Sequence, residues 1–129
     1  MRIDHLAIWT KQLEVLKTFY VQFFDAVPNE KYYNPVKQFS SYFLSFTDGA
    51  RLELMHMDSI PTNANDPQLQ ATGLIHFAVS TGSKEAVEAL TEKIRAAGLP
   101  VLSEPRWTGD GYYESVVADP DNNRIEITI

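Results

Sequence analysis

A seven-residue pattern occurs twice in this chain, as DHLAIWT at residues 4–10 and, 71 residues later, as IHFAVST at residues 75–81. In both copies large apolar residues alternate with small or polar ones, which is typical of a β-strand with one buried face. A second pair of similar segments, RLEL at residues 51–54 and RIEI at residues 124–127, follows at nearly the same separation. This agreement at both ends predicts that the chain contains two copies of one structural module.

The residues between these strands follow a common order of elements. Apolar residues at helical spacing come after each first strand, and in the second half Ser83 is a candidate N-cap and Gly98 a candidate stop signal. Strand-like segments then occur at about residues 26–32, 39–46 and 51–57 in the first half and at about residues 101–105, 112–118 and 124–129 in the second. A long irregular segment is predicted at residues 103–111, where it overlaps the end of the strand-like segment at residues 101–105. The sequence therefore predicts an α+β fold of two βαβββ modules over residues 1–57 and 73–129, joined by a linker over residues 58–72.

The composition limits the classes of function. The chain has 129 residues, enough for one domain built of two small modules. Its 17 acidic residues against 11 lysines and arginines give a net charge of −6, which disfavours nucleic acids and anionic membrane surfaces as partners. The absence of cysteine excludes disulfides and cysteine nucleophiles. Because no apolar run is long enough to cross a bilayer and no signal peptide is evident, we predict a soluble cytoplasmic protein.

Four residues occupy equivalent places in the repeated strands and face the same way. Strand alternation turns the aliphatic residues toward a helix and turns four others to the opposite face: His5, Glu53, His76 and Glu126. Two imidazoles and two carboxylates form a ligand set suited to one divalent ion such as Zn, Ni, Co, Mn or Fe(II). Each residue alone is more typical of a structural role, but together they predict a four-ligand metal site, since clustered carboxylates need a cation. The same alternation excludes His56 from this site.

These segments resemble the vicinal oxygen chelate superfamily, which includes glyoxalase I, bleomycin-resistance proteins and extradiol dioxygenases. The resemblance extends over essentially the whole chain and is strongest in DHLAI at residues 4–8, RLELM at 51–55, GLIHFAV at 73–79 and ADPDNNRIEI at 118–127. It implies paired βαβββ modules that form a cup-shaped mixed sheet around the metal, with helices on the outer face. It also implies a homodimer, with the metal site either shared between two chains or built from both modules of one chain.

The order His, Glu, His, Glu resembles the ligand set of glyoxalase I, the lactoylglutathione lyase. That resemblance implies proton transfer on a small substrate with vicinal oxygens, with Glu53 or Glu126 as the base and Glu126 preferred. It also implies an Arg and an Asn as glutathione anchors, four residues after the first His and four residues after the first Glu. Those positions are Trp9 and Met57 here. The two replacements favour a lyase or isomerase for a different, partly apolar substrate.

Two other functions are compatible with the same residues. An Fe(II) extradiol-type dioxygenase would use His5, His76 and Glu126 and would leave Glu53 dispensable for metal binding. A bleomycin-resistance-type protein would bind its ligand in the same cup without a metal and without catalysis. The candidate replacements for a charged substrate anchor are Lys37, Arg51 and Arg106.

Overall fold

The computed structural model describes residues 1–63 and 66–129 of the chain. The chain divides into two compact units, Met1–Asn63 and Ala64–Ile129. In each unit one α-helix packs on one face of a mixed β-sheet. The linker predicted over residues 58–72 includes Ala64 and Asn65, which lie outside the described residues. In the part of the chain that the structure describes, no helix is long and apolar enough to span a membrane.

The first unit contains one helix and five strands. In chain order they are β1 (His5–Trp9), α1 (Leu13–Phe24), β2 (Val27–Pro28), β3 (Tyr32–Asn34), β4 (Phe39–Ser45) and β5 (Arg51–Met57). The strands have the order β1-β5-β4-β2 in the sheet, and β3 also pairs with β4. β1 runs parallel to β5, and their register sets His5 opposite Arg51 and Ala7 opposite Glu53.

The second unit contains one helix and four strands. In chain order they are β6 (His76–Ser80), α2 (Lys84–Ala96), β7 (Val101–Trp107), β8 (Tyr113–Ala118) and β9 (Arg124–Thr128). The strands have the order β6-β9-β8-β7, with β6 parallel to β9, and the register sets His76 opposite Arg124 and Ala78 opposite Glu126. Ser83 is the N-cap of α2, as predicted, because its hydroxyl accepts a hydrogen bond at 3.2 Å from the backbone amide three residues later.

Aliphatic side chains of the last strand hold the helix on the sheet in each unit. Leu52 and Leu54 in the first unit and Ile125 and Ile127 in the second are at most 2% exposed. Burial of each such side chain contributes about 1.5–3 kcal/mol to stability. Because successive side chains of a strand point to opposite faces, the glutamate between the two aliphatic residues points away from the helix. The alternation that forms the core therefore also positions the candidate site.

The predicted α+β fold of repeated modules is confirmed, with two differences in detail. The single strand predicted near residues 26–32 is two short strands, β2 and β3, because the two pair with β4 in registers that differ by one residue. The irregular segment predicted over residues 103–111 is a strand as far as Trp107. This strand, β7, lies at the edge of its sheet, where Pro105 and two register shifts are tolerated.

Candidate metal centre

In the first unit, His5 and Glu53 lie side by side on the sheet face opposite α1. Their strands, β1 and β5, are hydrogen-bonded neighbours, and Nε2 of His5 is 3.7 Å from Oε2 of Glu53. The His5 side chain is 39% exposed, whereas the Glu53 side chain is 15% exposed. The carboxylate is therefore largely shielded from solvent, while the imidazole remains accessible.

The second unit contains the same arrangement. Nε2 of His76 is 3.4 Å from Oε2 of Glu126, and the side chains are 40% and 18% exposed. Each unit thus places one imidazole and one carboxylate together on the face of the sheet that does not carry the helix. We call this surface the ligand face of the unit.

The two pairs fit a divalent ion in their chemistry and spacing. Zinc binds imidazole nitrogen at about 2.0–2.1 Å and carboxylate oxygen at about 2.0–2.2 Å, so two such atoms at a tetrahedral angle are about 3.4 Å apart. The observed separations of 3.4 and 3.7 Å are close to this value. Among the described residues, neither Glu53 nor Glu126 forms an ion pair with a lysine or arginine. A bound cation would therefore compensate two shielded carboxylates that have no lysine or arginine partner among the described residues.

The structure brings the four candidate ligands together as two pairs. Within residues 1–63 and 66–129, no group of three or more His, Cys, Asp or Glu side chains is placed to hold a metal ion. One unit alone therefore brings together two candidate ligands, and the four-ligand site remains a prediction.

Three further residues support His5 in the first unit. Oδ2 of Asp4 lies 2.9 Å from Nδ1 of His5 and accepts a hydrogen bond from Nη2 of Arg51 at 2.5 Å. The Arg51 guanidinium lies 4.5 Å from the centre of the Phe43 ring, and that ring meets the His5 ring edge-on at 5.3 Å. The hydrogen bonds with His5 and Arg51 hold the pKa of Asp4 below its ordinary value, so Asp4 is ionised at neutral pH.

In the second unit, a further carboxyl group lies beside Glu126. Glu114 belongs to β8, faces the same side of the sheet and has a side chain that is 12% exposed. Burial raises the pKa of Glu114, and the charge of Glu126 and a hydrogen bond with it raise this pKa further. Arg106, 3.7 Å away, acts in the opposite direction. The protonated form of Glu114 is therefore favoured more than that of an exposed glutamate.

Sequence reasoning assigned no role to Asp4 or Glu114, although both have a signal in the strand pattern. Asp4 directly precedes a strand histidine, and Glu114 is the one charged residue in the apolar strand β8. The exclusion of His56 is consistent with the structure, which places Nδ1 of this residue 2.9 Å from the carbonyl oxygen of Thr10 and its Nε2 3.1 Å from Oδ1 of Asp58.

Aromatic and thioether side chains border the first pair. Trp9 lies on the same face of β1 as His5, is 40% exposed and meets the Phe39 ring edge-on at 5.9 Å. Met55 and Met57 continue this face along β5, and Met57 lies opposite Phe39 in the register. The ligand face of the first unit is therefore apolar on the side of its candidate ligands that lies away from Asp4 and Arg51.

Sequence comparisons agree with this architecture. The family model described as Glyoxalase/Bleomycin resistance protein/Dioxygenase superfamily matches residues 2–127. A curated relative, Uncharacterized protein YqjT of Bacillus subtilis (strain 168), is 40% identical over 58 residues. That segment covers 43% of this chain and 45% of the relative, so the match spans less than half of the relative's length.

Solved structures with the same fold include enzymes and domains of this family. A glyoxylase/bleomycin resistance protein/dioxygenase domain from Frankia sp. EAN1pec has a TM-score of 0.83 at 18% identity, over 100% of this chain and 97% of that chain. The trypanothione-dependent glyoxalase I of Leishmania major has a TM-score of 0.78 at 23% identity, over 99% and 86% of the two chains. Glyoxalase I from Zea mays has a TM-score of 0.79 at 21% identity, over 98% of this chain and 44% of that chain.

At these identities the structural likeness establishes the fold alone. The family match, in contrast, extends over nearly the whole sequence, including both imidazole–carboxylate pairs. The chain therefore belongs to the Glyoxalase/Bleomycin resistance protein/Dioxygenase superfamily.

Proposed function

We propose that this protein binds one divalent metal ion through His5, Glu53, His76 and Glu126 and acts as a lyase or isomerase by proton transfer. The observation that carries the proposal is the duplicated imidazole–carboxylate pair, with 3.7 Å between the paired atoms in the first unit and 3.4 Å in the second. A four-ligand site needs one pair from each unit, either within one chain or between the two chains of a homodimer.

In the proposed reaction, one of the two glutamates acts as a base in addition to binding the metal. A bound divalent ion supplies a Lewis acid for two neighbouring oxygens of the substrate. Glu126 accepts a proton from one substrate carbon and returns it to the adjacent carbon, and Glu53 is the second candidate for this base. The position of Glu114 supports the choice of Glu126, because a neighbouring carboxyl group gives the proton a second acceptor close to the first.

The apolar ligand face of the first unit supports a partly apolar substrate. Trp9 and Met57 occupy the positions where the resemblance to glyoxalase I implies polar glutathione anchors. Two of the candidate replacement anchors, Arg51 and Arg106, already form ion pairs with acidic side chains. We therefore propose a small substrate with two neighbouring oxygens and an apolar or aromatic remainder, rather than one held through the charges of glutathione.

Elemental mass spectrometry of the purified protein tests metal binding. After reconstitution with Ni, Zn, Co, Mn or Fe(II), we expect about one ion per chain, with His5→Ala losing the ion and Glu53→Gln binding it more weakly. His56→Ala is the matched control, since His56 lies off the ligand face and should leave the metal content unchanged. Absence of metal from the parent protein under all these conditions would reject the metal-dependent enzyme and favour a ligand-binding protein.

The Glu53→Gln variant also separates the lyase from the dioxygenase. A dioxygenase that uses three ligands would retain Fe(II) in this variant with nearly unchanged affinity.

The proton-transfer reaction itself is measured by NMR, as deuterium uptake at the reacting carbon of hemithioacetals formed from methylglyoxal or phenylglyoxal. We expect phenylglyoxal adducts to be preferred, and Glu126→Gln to slow the exchange by about 10²–10⁴-fold. Light scattering tests the predicted dimer.

A further inference from the structure

Asp4 and His5 are neighbours in the sequence and in hydrogen bonding. Nδ1 of His5 lies 2.9 Å from Oδ2 of Asp4, while Nε2 of the same ring is 3.7 Å from the Glu53 carboxylate. Because an ionised carboxylate only accepts hydrogen bonds, the Nδ1 atom of His5 is the donor to Asp4. In the neutral imidazole the lone pair is then on Nε2, the atom nearest Glu53.

Asp4 is itself held by a side chain from another strand. Nη2 of Arg51, on β5, donates a hydrogen bond to the same Asp4 oxygen that accepts from His5. The Arg51 guanidinium also lies over the Phe43 ring, whose edge packs against His5. The imidazole is therefore restrained at Nδ1 by Asp4 and packs against the Phe43 ring, and Arg51 contacts both of these residues.

The second unit shows that strand pairing does not require this support. His76 lies opposite Arg124, as His5 lies opposite Arg51, so the backbone frame is the same. The residue before His76 is Ile75, which has no carboxylate, and Arg124 donates instead to the carbonyl oxygen of Pro67 at 2.6 Å. Among the described residues, Nδ1 of His76 has no hydrogen-bond partner.

We propose that Asp4, held by Arg51, is a positioning residue that fixes His5 in the tautomer able to bind a metal ion through Nε2. A carboxylate behind a histidine ligand sets the tautomer, orients the ring and makes the ligand nitrogen more basic. The metal-binding part of this inference rests on the proposed function. The tautomer, however, is a property of the metal-free protein and is tested without any metal.

The first experiment is a nitrogen-15 NMR measurement of the histidine tautomers in the metal-free full-length chain. It is made at a pH at which the spectra show neutral histidines. We expect His5 to carry its proton on Nδ1 in the parent protein and to change to a mixture of both tautomers in Asp4→Ala. His76 is the internal reference and should be the same in both proteins. An unchanged His5 tautomer in Asp4→Ala would overturn the inference.

The second experiment measures zinc affinity by competition with a chromophoric chelator. We expect Asp4→Ala to weaken zinc binding by about 10–100-fold. Asp4→Asn, which can still accept a hydrogen bond but has no charge, should have an intermediate affinity, and Arg51→Met should show a smaller loss than Asp4→Ala. Asp58→Asn is the matched control, because it removes a carboxylate 3.1 Å from His56, a histidine outside the ligand face. This control should keep the parent affinity.

The outcomes separate this inference from the proposed function. If the parent protein binds zinc and Asp4→Ala binds it equally well, the positioning role is wrong while the metal site stands. If the parent protein binds neither zinc nor Ni, Co, Mn or Fe(II), the proposed function is wrong, and the tautomer of His5 alone decides whether Asp4 fixes the ring. Equal losses in Asp4→Ala and Asp58→Asn would show a nonspecific charge effect and would also overturn the inference.

Discussion

The two units share a backbone frame and differ in the side chains around it. In both, a histidine on the first strand lies beside a glutamate on the last strand and opposite an arginine. In the first unit the arginine binds Asp4, whose carboxylate lies 2.9 Å from Nδ1 of the histidine. In the second unit the arginine binds a backbone carbonyl oxygen, and among the described residues the side chain of the histidine pairs with its glutamate alone.

On the adjacent strand the second unit has an acidic group where the first unit has a serine. Ser41 of the first unit and Glu114 of the second occupy equivalent positions, since each lies opposite the residue two places after the candidate glutamate. The first unit therefore surrounds its pair with groups that restrain an imidazole, while the second places a carboxyl group next to its glutamate. Because these positions do not affect strand pairing, the two copies can diverge in chemistry while the frame stays the same.

The largest loss of stability should come from substitutions in the helix–sheet core, which both units share. Leu54 and Ile127 are both 0% exposed in the helix–sheet layer. We expect Leu54→Ala and Ile127→Ala each to lower the free energy of unfolding by about 2–5 kcal/mol, because each leaves a cavity. Urea denaturation measures this loss, and Met55→Ala on the ligand face is the control with a smaller expected loss. A loss from only one of the two core variants would show that the frames are not equivalent.

The shared frame can be predicted from the sequence because it depends on local alternation. In RLEL and RIEI, a glutamate between two aliphatic residues must face away from the core, and a histidine in the preceding strand pattern follows the same rule. This predicts which side chains share a face. The register of each parallel strand pair then determines which of them are neighbours, and the repeat makes that register the same in both units.

The differences between the units cannot be predicted in the same way, because they depend on non-local register. The contact between Asp4 and Arg51 requires β1 and β5 to pair with one particular offset, and a shift of one residue would move the side chains to the other face. The proximity of Glu114 to Glu126 likewise depends on the offset between β8 and β9. Whether the two pairs meet depends on packing between units or chains, which strand periodicity does not encode.

Replacement of Glu114 should change the free energy of unfolding by a smaller amount, and the change should be stabilising. The pKa of Glu114 is raised in the folded protein, so the free energy of unfolding falls as the pH rises above the ordinary pKa of about 4.5. In the metal-free protein, Glu114→Gln should remove this loss and increase stability at neutral pH by up to about 1 kcal/mol. The gain should disappear toward acid pH. Glu30→Gln, at an exposed glutamate, is the control, and a pH-independent gain would contradict this account.

The smallest contrast concerns the outer sides of the two sheets, where a glutamate of each helix accepts a hydrogen bond from a strand tyrosine. Glu14 accepts from Tyr42 at 3.0 Å and also pairs with Lys17 at 2.5 Å and Lys31 at 3.0 Å. In the second unit Tyr113 donates to Glu88 of α2 at 2.7 Å, and the nearest paired lysine nitrogen is 3.7 Å from that carboxylate. Lys17, with Lys31 and Tyr42, lowers the pKa of Glu14 to about 2.

This contrast predicts that stability contributed by Glu14 in the first unit is lost at acid pH. Because the folded pKa of Glu14 lies below its ordinary value of 4.5, its ion pairs stabilise the protein above that value, and their contribution is lost as the pH falls toward 2. Glu14→Gln should therefore reduce stability at neutral pH by less than about 1 kcal/mol, since half of the side chain is in solvent. The deficit should shrink at acid pH. At neutral pH, the deficit of Glu88→Gln should be smaller than that of Glu14→Gln. Thermal unfolding across this pH range measures both variants, and equal deficits would mean that the second lysine contributes nothing.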